Sequence, residues 1–178
     1  MYNLTRDRIE QADARKLEEA LGQVLPGENS FEAFDDLSSA LHGRLGSVTE
    51  VYLVSGEDSG GIAAKVAPAG YGGPIDIVVG ITPDGTVGGV RVVGQSETPG
   101  LGSEVTREAF TDQFVGQSSL ESLRVRPDGG SIDAITGATV SSRAVAKGVR
   151  DALEVFHSLS ALGLLADGLS GAVEEERN

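Results

Sequence analysis

Cysteine is absent from this chain of 178 residues, so thiolate catalysis, cysteine-ligated iron–sulfur clusters and internal disulfides are excluded. Histidine is almost absent. His42 and His157 lie far apart, which leaves a histidine-based metal site or a serine–histidine relay little to build on; both read as surface or helix-end residues. Basic residues are also scarce, 14 against 27 acidic ones, for a formal charge of −13. Such a field repels a phosphate backbone, and nucleic acid is discarded as a partner. No apolar run approaches the roughly 18 to 20 residues of a membrane-spanning helix. The opening residues include Arg6, Asp7, Arg8 and Glu10, so no signal peptide is expected in them.

The length suits one domain, or one domain with a short helical extension. Ile9, Ala12, Leu17, Ala20, Leu21 and Val24 recur at helical spacing and stop before Pro26-Gly27, which predicts an amphipathic helix over 5–24. Residues 28–46 read as a loop with a possible helical turn. Four strand-like runs follow, 48–54, 62–67, 75–82 and 87–93, with Pro83-Asp84-Gly85 as a hairpin signal in an antiparallel meander. Ile75, Ile77, Val79 and Ile81 alternate with Asp76, Val78, Gly80 and Thr82, the period of a strand with one buried face. Gly80, Gly88 and Gly89 inside strand runs predict a bent sheet or close approach by backbone or ligand.

A helix is expected over 106–114 with Thr106 as its N-cap and Phe110 and Phe114 on one face, then a turn at Pro127-Asp128-Gly129-Gly130 and a short strand around 131–135. The last strong element is a helix over about 140–159 with Val145, Val149, Ala152 and Phe156 on a buried stripe. The expected fold class is α+β, a twisted, mainly antiparallel sheet with flanking helices, an N-terminal amphipathic helix and a long C-terminal one. Residues 1–27, 28–162 and 163–178 divide into N-terminal helix, main domain and acidic tail.

Chemistry concentrates where strand gives way to helix. In Thr136-Gly137-Ala138-Thr139-Val140-Ser141-Ser142 small residues admit a ligand to the backbone, and four hydroxyls lie within one short stretch. The first amides of a helix lack intrahelical partners and carry partial positive charge, so an anion, most naturally phosphate, is stabilised there. The residues alone leave two readings open, phosphate binding or simple capping by Thr139, Ser141 or Ser142. The segment has neither the lysine of a nucleoside-triphosphate P-loop nor the glycine triplet of a dinucleotide fold.

Asp133-Ala134-Ile135-Thr136-Gly137-Ala138-Thr139 resembles the flavinylation motif of the FMN-binding domain family, which includes the G component of the Rnf electron-transport complex and the C component of the sodium-pumping NADH:quinone oxidoreductase. Glu97-Thr98-Pro99-Gly100-Leu101-Gly102 and Gly70-Tyr71-Gly72-Gly73-Pro74-Ile75 are similar to two further stretches of those proteins, in the same order. The resemblance implies FMN held covalently as a phosphoester on Thr139 and placed there by a separate flavin transferase. It also implies an electron-carrying role among the other subunits of a membrane redox complex, not catalysis by this chain alone.

The implied cofactor-binding set is Thr139 with Thr136, Gly137, Ala138, Ser141 and Ser142 at the phosphate end, and Glu97, Thr98, Gly100, Leu101, Gly102 and Tyr71 near the ring. Ser141 and Ser142 are expected as phosphate donors, and Asp133 as an organiser of the turn. Members of the family normally carry a membrane anchor, so the chain is expected to be a soluble fragment from the extracytoplasmic side of the cell membrane. The motif at 135–145 leans towards the Rnf protein. The equivalent quinone-reductase protein, an FMN-binding sensor or scaffold, and a non-redox binding module are the alternatives.

Overall fold

The structure is a computed structural model that describes residues 2–165; the expected acidic tail falls, from residue 166 onward, outside the described residues. Helix α1 (Tyr2–Val24) leads into five strands, β1 (Asn29–Ala33), β2 (Val48–Gly56), β3 (Ile62–Val66), β4 (Asp76–Ile81) and β5 (Val87–Gly94). They form one antiparallel sheet in the order β1-β2-β3-β4-β5, so each strand pairs with its neighbour in sequence, as a meander requires. A short helix α2 (Leu37–Ala40) sits between β1 and β2. After β5 come a 3₁₀ turn (Gly102–Thr106), α3 (Glu108–Thr111), two further 3₁₀ turns and the long α4 (Thr139–Ala161). The α+β class and the meander stand as the residue pattern predicts.

Helices cover both faces of the sheet. On one, α4 buries Val145, Val149, Ala152 and Phe156 against a core that includes Val51, Ile62, Ile77, Val79 and Ile81. On the other, the last turns of α1 set Ala20, Leu21 and Val24 against Ala63 and Val78. That second layer corrects the expectation of one buried face for β4: Val78 and Gly80 are buried as fully as their neighbours. It also explains the strand glycines. A Cβ on Gly80 would lie 2.5 Å from the Val24 carbonyl oxygen, and one on Gly89 2.7 Å from the Val24 Cα, so the backbone that approaches the sheet is the end of α1.

Four local expectations need correction. Residues 29–33, read as loop, form the edge strand β1; polar Asn29, Ser30 and Glu32 hide its period, and Phe31 is the apolar residue turned towards α1. The helix expected over 106–114 is broken at Arg107, whose backbone is extended. Thr106 does not cap it, because its hydroxyl donates backwards to the Ser103 carbonyl (2.9 Å) and closes the preceding 3₁₀ turn. Phe110 and Phe114 still meet edge to face, with centroids 5.6 Å apart. The strand expected around 131–135 is only a bridge between Val125 and Ile132, since the Gln113 side chain takes up the main-chain N–H and C=O of Asp133.

The hairpin at 83–85 closes as predicted, with Gly85 at φ +79° and its amide donating to the Thr82 carbonyl. Gly89→Ala is expected to push α1 away from the sheet and to lower stability by about 1–3 kcal/mol, the usual cost of overpacking; the urea unfolding midpoint measures it.

Candidate functional site

Three segments converge beside the start of α4. The turn at 70–73 follows β3, the loop at 97–102 follows β5, and the turn at 136–138 leads directly into α4. Together they enclose a cleft of about 500 Å³ lined by Tyr71, Glu97, Thr98, Leu101, Gly102, Gly137, Ala138, Thr139, Val140 and Ser141. The three sequence motifs thus meet in space.

The floor is the helix start. Gly137 takes φ +79°, a left-handed conformation that disfavours residues with a Cβ, and the Ala138 amide donates to the Ile135 carbonyl to close the turn. Ala138 is the N-cap residue and no side chain caps the helix. The amide of Ser142 makes the first bond of the helix, to the Ala138 carbonyl at 3.0 Å, so the amides of Thr139, Val140 and Ser141 precede it. Capping by Thr139, Ser141 or Ser142, the alternative that the residues left open, is therefore not what the structure contains. Thr139 is the first helical residue, half-buried, and its hydroxyl has no hydrogen-bond partner among the described residues.

The wall opposite is built on Glu97, which is only 5% exposed. Its carboxylate accepts from the amides of Tyr71 (3.1 Å) and Gly72 (2.8 Å) and from the Ser141 hydroxyl. Burial by itself raises the pKa of this carboxyl, but the bonds from Ser141, Gly72 and Tyr71 outweigh it and hold the group below the ordinary carboxylate range. Thr98-Pro99-Gly100-Leu101 forms a tight turn: the Leu101 amide donates to the Thr98 carbonyl, and Gly100 sits at φ +73°.

The rim is apolar. Tyr71 (75% exposed), Leu101 (45%) and Val140 (49%) are three of the five large hydrophobic residues exposed among those described, and all three line this one cleft. Val140 went unnoticed in the sequence, although it falls off the buried stripe of α4, and a misplaced apolar residue at a helix start is a signal that pattern reading could use.

Of the residues expected at the site, Thr139, Gly137, Ala138, Ser141, Glu97, Thr98, Leu101, Gly102 and Tyr71 line the cleft, whereas Thr136, Gly100 and Ser142 do not. Ser142 is fully buried, and its hydroxyl donates to the Ala138 carbonyl (2.9 Å) while accepting from the Ile135 amide (3.0 Å). It fastens the turn below the cleft. Ser141 is likewise committed, to Glu97. Asp133 does not organise the turn through its carboxylate, which is paired with Arg126.

The arrangement fits FMN by its chemistry. Unsatisfied amides at a helix start suit a phosphate, and exposed apolar side chains around a cleft of this size suit a flat aromatic ring.

Comparison with known proteins points the same way. Residues 70–154 match the model of the FMN-binding domain family. The chain is 36% identical over 164 residues to the G component of the ion-translocating oxidoreductase complex of Vibrio atlanticus, covering 86% of this chain and 78% of that protein. It is 38% identical to the G component of the same complex in Aliivibrio fischeri, over 85% of this chain and 78% of that one. The chain belongs to the FMN-binding domain family. Among solved structures, the C component of the Na⁺-translocating NADH-quinone reductase from Parabacteroides distasonis shares the fold, with a TM-score of 0.50 and 24% identity over 74% of this chain and 67% of that one. Within the family, the lean towards the Rnf protein agrees with relatives that bear the G-component name.

Two outcomes test the site as a structure. Glu97 stabilises the fold at pH values above its unfolded pKa of about 4.3, and this contribution is lost as pH falls through its lower folded value. Acid titration of the unfolding midpoint should therefore show a decline below about pH 4 that is shallower in Glu97→Gln. Ser142→Ala should cost about 1–2 kcal/mol in urea unfolding, because the Ile135 amide loses its acceptor.

Proposed function

We propose that this chain is the FMN-carrying electron-transfer subunit of a membrane-bound, ion-translocating redox complex of the Rnf type, with the flavin joined to Thr139 through a phosphoester. The observation that carries the reading is the uncapped start of α4, where a partner-free threonine hydroxyl stands at the floor of an apolar-rimmed cleft. The names of the relatives, G components of ion-translocating oxidoreductase complexes, support the setting.

When bound, FMN accepts and donates electrons reversibly, and the chain's task is to hold and tune it. The amides of Thr139, Val140 and Ser141 would hold the phosphate. Tyr71, Leu101 and Val140 would lie against the ring and orient it. A threonine hydroxyl is a weak nucleophile, and neither histidine nor lysine lines the cleft to activate it. The separate flavin transferase that the family resemblance implies would make the bond to Thr139, with this chain as its substrate.

Residues 28–162 are the FMN-binding unit in this reading and stand on the extracytoplasmic side, with residues 1–27 leading towards the anchored part of the complex. Among the described residues no helix is long and apolar enough to cross a membrane.

Co-expression with a flavin transferase should give a yellow chain whose colour survives denaturation, with an FMN-sized mass adduct on the peptide that contains Thr139. Thr139→Ala should fold and stay colourless. Flavin that washes out on denaturation defeats the covalent linkage, and adduct on another peptide moves the site.

A further inference from the structure

Two carboxylates are buried among the described residues, Asp151 and Glu97. Asp151 has a cation, Lys147, at 2.5 Å, with Ser47 completing its bonds. Glu97 has none: its partners are two backbone amides and one hydroxyl. Burying an anion without a counter-cation is costly, and an apolar or neutral side chain could fill the same volume at a smaller penalty.

The surrounding chain is shaped to accept that penalty. A Cβ on Gly70 would lie 2.6 Å from the Glu97 Oε1, and one on Gly102 would lie 2.7 Å from the Ser141 Oγ and 2.9 Å from the Glu97 Oε2. A Cβ on Gly72 would strike the Ser96 carbonyl oxygen at 2.1 Å. Three glycines, from two of the converging segments, thus clear space for one carboxylate and the main chain that carries it.

We propose that Glu97 is a positioning residue: it locks the 70–73 turn, the 97–102 loop and the first turn of α4 into one wall, and its uncompensated negative charge holds the reduction potential of the cleft's occupant low. This rests on the reading of the cleft as the FMN site. The locking needs a carboxylate in particular. Tyr71 donates to one oxygen and Gly72 to the other, and a glutamine in the same place would turn its NH₂ towards one of those two amides, donor against donor. Ser141, which donates to the same oxygen as Tyr71, ties this wall to α4 two residues beyond Thr139. The charge matters because each electron added to a ring beside a fixed, buried anion is opposed by it. The bonds that hold the Glu97 pKa down keep it ionised at neutral pH.

The test separates geometry from charge with two variants. Glu97→Gln keeps the length and removes the charge, whereas Glu97→Asp keeps the charge and shortens the reach. In hydrogen exchange on the flavin-free chain, followed by NMR, both variants should speed exchange at Tyr71 or Gly72 by about tenfold, the factor expected for one lost bond to a charged acceptor. Exchange at both amides as slow as in the unaltered chain overturns the positioning role. In the flavinylated chain, Glu97→Gln should shift the midpoint potential to more positive values while Glu97→Asp stays near the unaltered chain. Coincident potentials in all three overturn the electrostatic role, and a shift in Glu97→Asp as large as in Glu97→Gln assigns the effect to geometry and overturns it too. Should the unaltered chain take up no flavin, the FMN reading fails by itself, and the exchange measurement still decides whether Glu97 holds the wall. Glu97→Asp also answers the positioning question if Glu97→Gln does not fold.

Discussion

The site depends on one unfilled requirement of helix geometry. An α-helix begins with amides that its own carbonyls cannot reach, and most helices satisfy some of them with a capping side chain. Here Ala138 occupies the cap position and offers nothing, while the nearby hydroxyls are employed elsewhere, Ser142 on the turn beneath and Ser141 on Glu97. The amides of Thr139, Val140 and Ser141 are left without intrahelical partners, on residues that line the cleft. Everything else in the region, from the left-handed Gly137 to the apolar rim, gives those amides an accessible and sheltered position.

The sheet's part is to make that helix start immovable. The apolar stripe of α4, from Ala144 to Leu159, is buried against one face, and α1 covers the other, so the strands that feed the 70–73 and 97–102 segments are clamped from both sides. The glycines at 80 and 89 let α1 approach to backbone contact, and this is a matter of packing, not of ligand binding. A rigid double-sided scaffold beneath loop-borne residues is the usual way a site acquires precision.

Most of this was legible in the residues because it follows from period and local turn chemistry. The meander, the stripe on α4 and the small-residue turn before that helix all have short-range signatures. What escaped was set by tertiary contacts. β1 is an edge strand whose polar residues mask its alternation, and the break at Arg107 arises because Thr106 bonds backwards instead of forwards. Which hydroxyls remain free at the helix start was equally hidden. Ser141 and Ser142 look equivalent in sequence, and only the positions of Glu97, 44 residues away, and Ile135 show that both are committed. Glu97 itself read as a polar contact for the ring; its burial, which no local pattern reveals, makes it part of the wall.

Charge gives a physical reason for favouring the proposed covalent ester. The chain carries a formal −13, no lysine or arginine lines the cleft, and the ionised Glu97 stands in its wall. A free flavin phosphate would meet that field with only the helix-start amides to hold it, and a helix terminus contributes on the order of 1 kcal/mol to an anion at an exposed site. Such an interaction would not retain a cofactor whose apolar contacts are three side chains left largely open to solvent. Esterification removes one of the phosphate's charges and replaces the binding equilibrium with a bond. With the proposed ester in place, the fold could keep an acidic surface and a buried anion beside the ring without losing the ring. On this view the same electrostatics that would make the site a weak receptor for free FMN are compatible with its being a good holder of attached FMN.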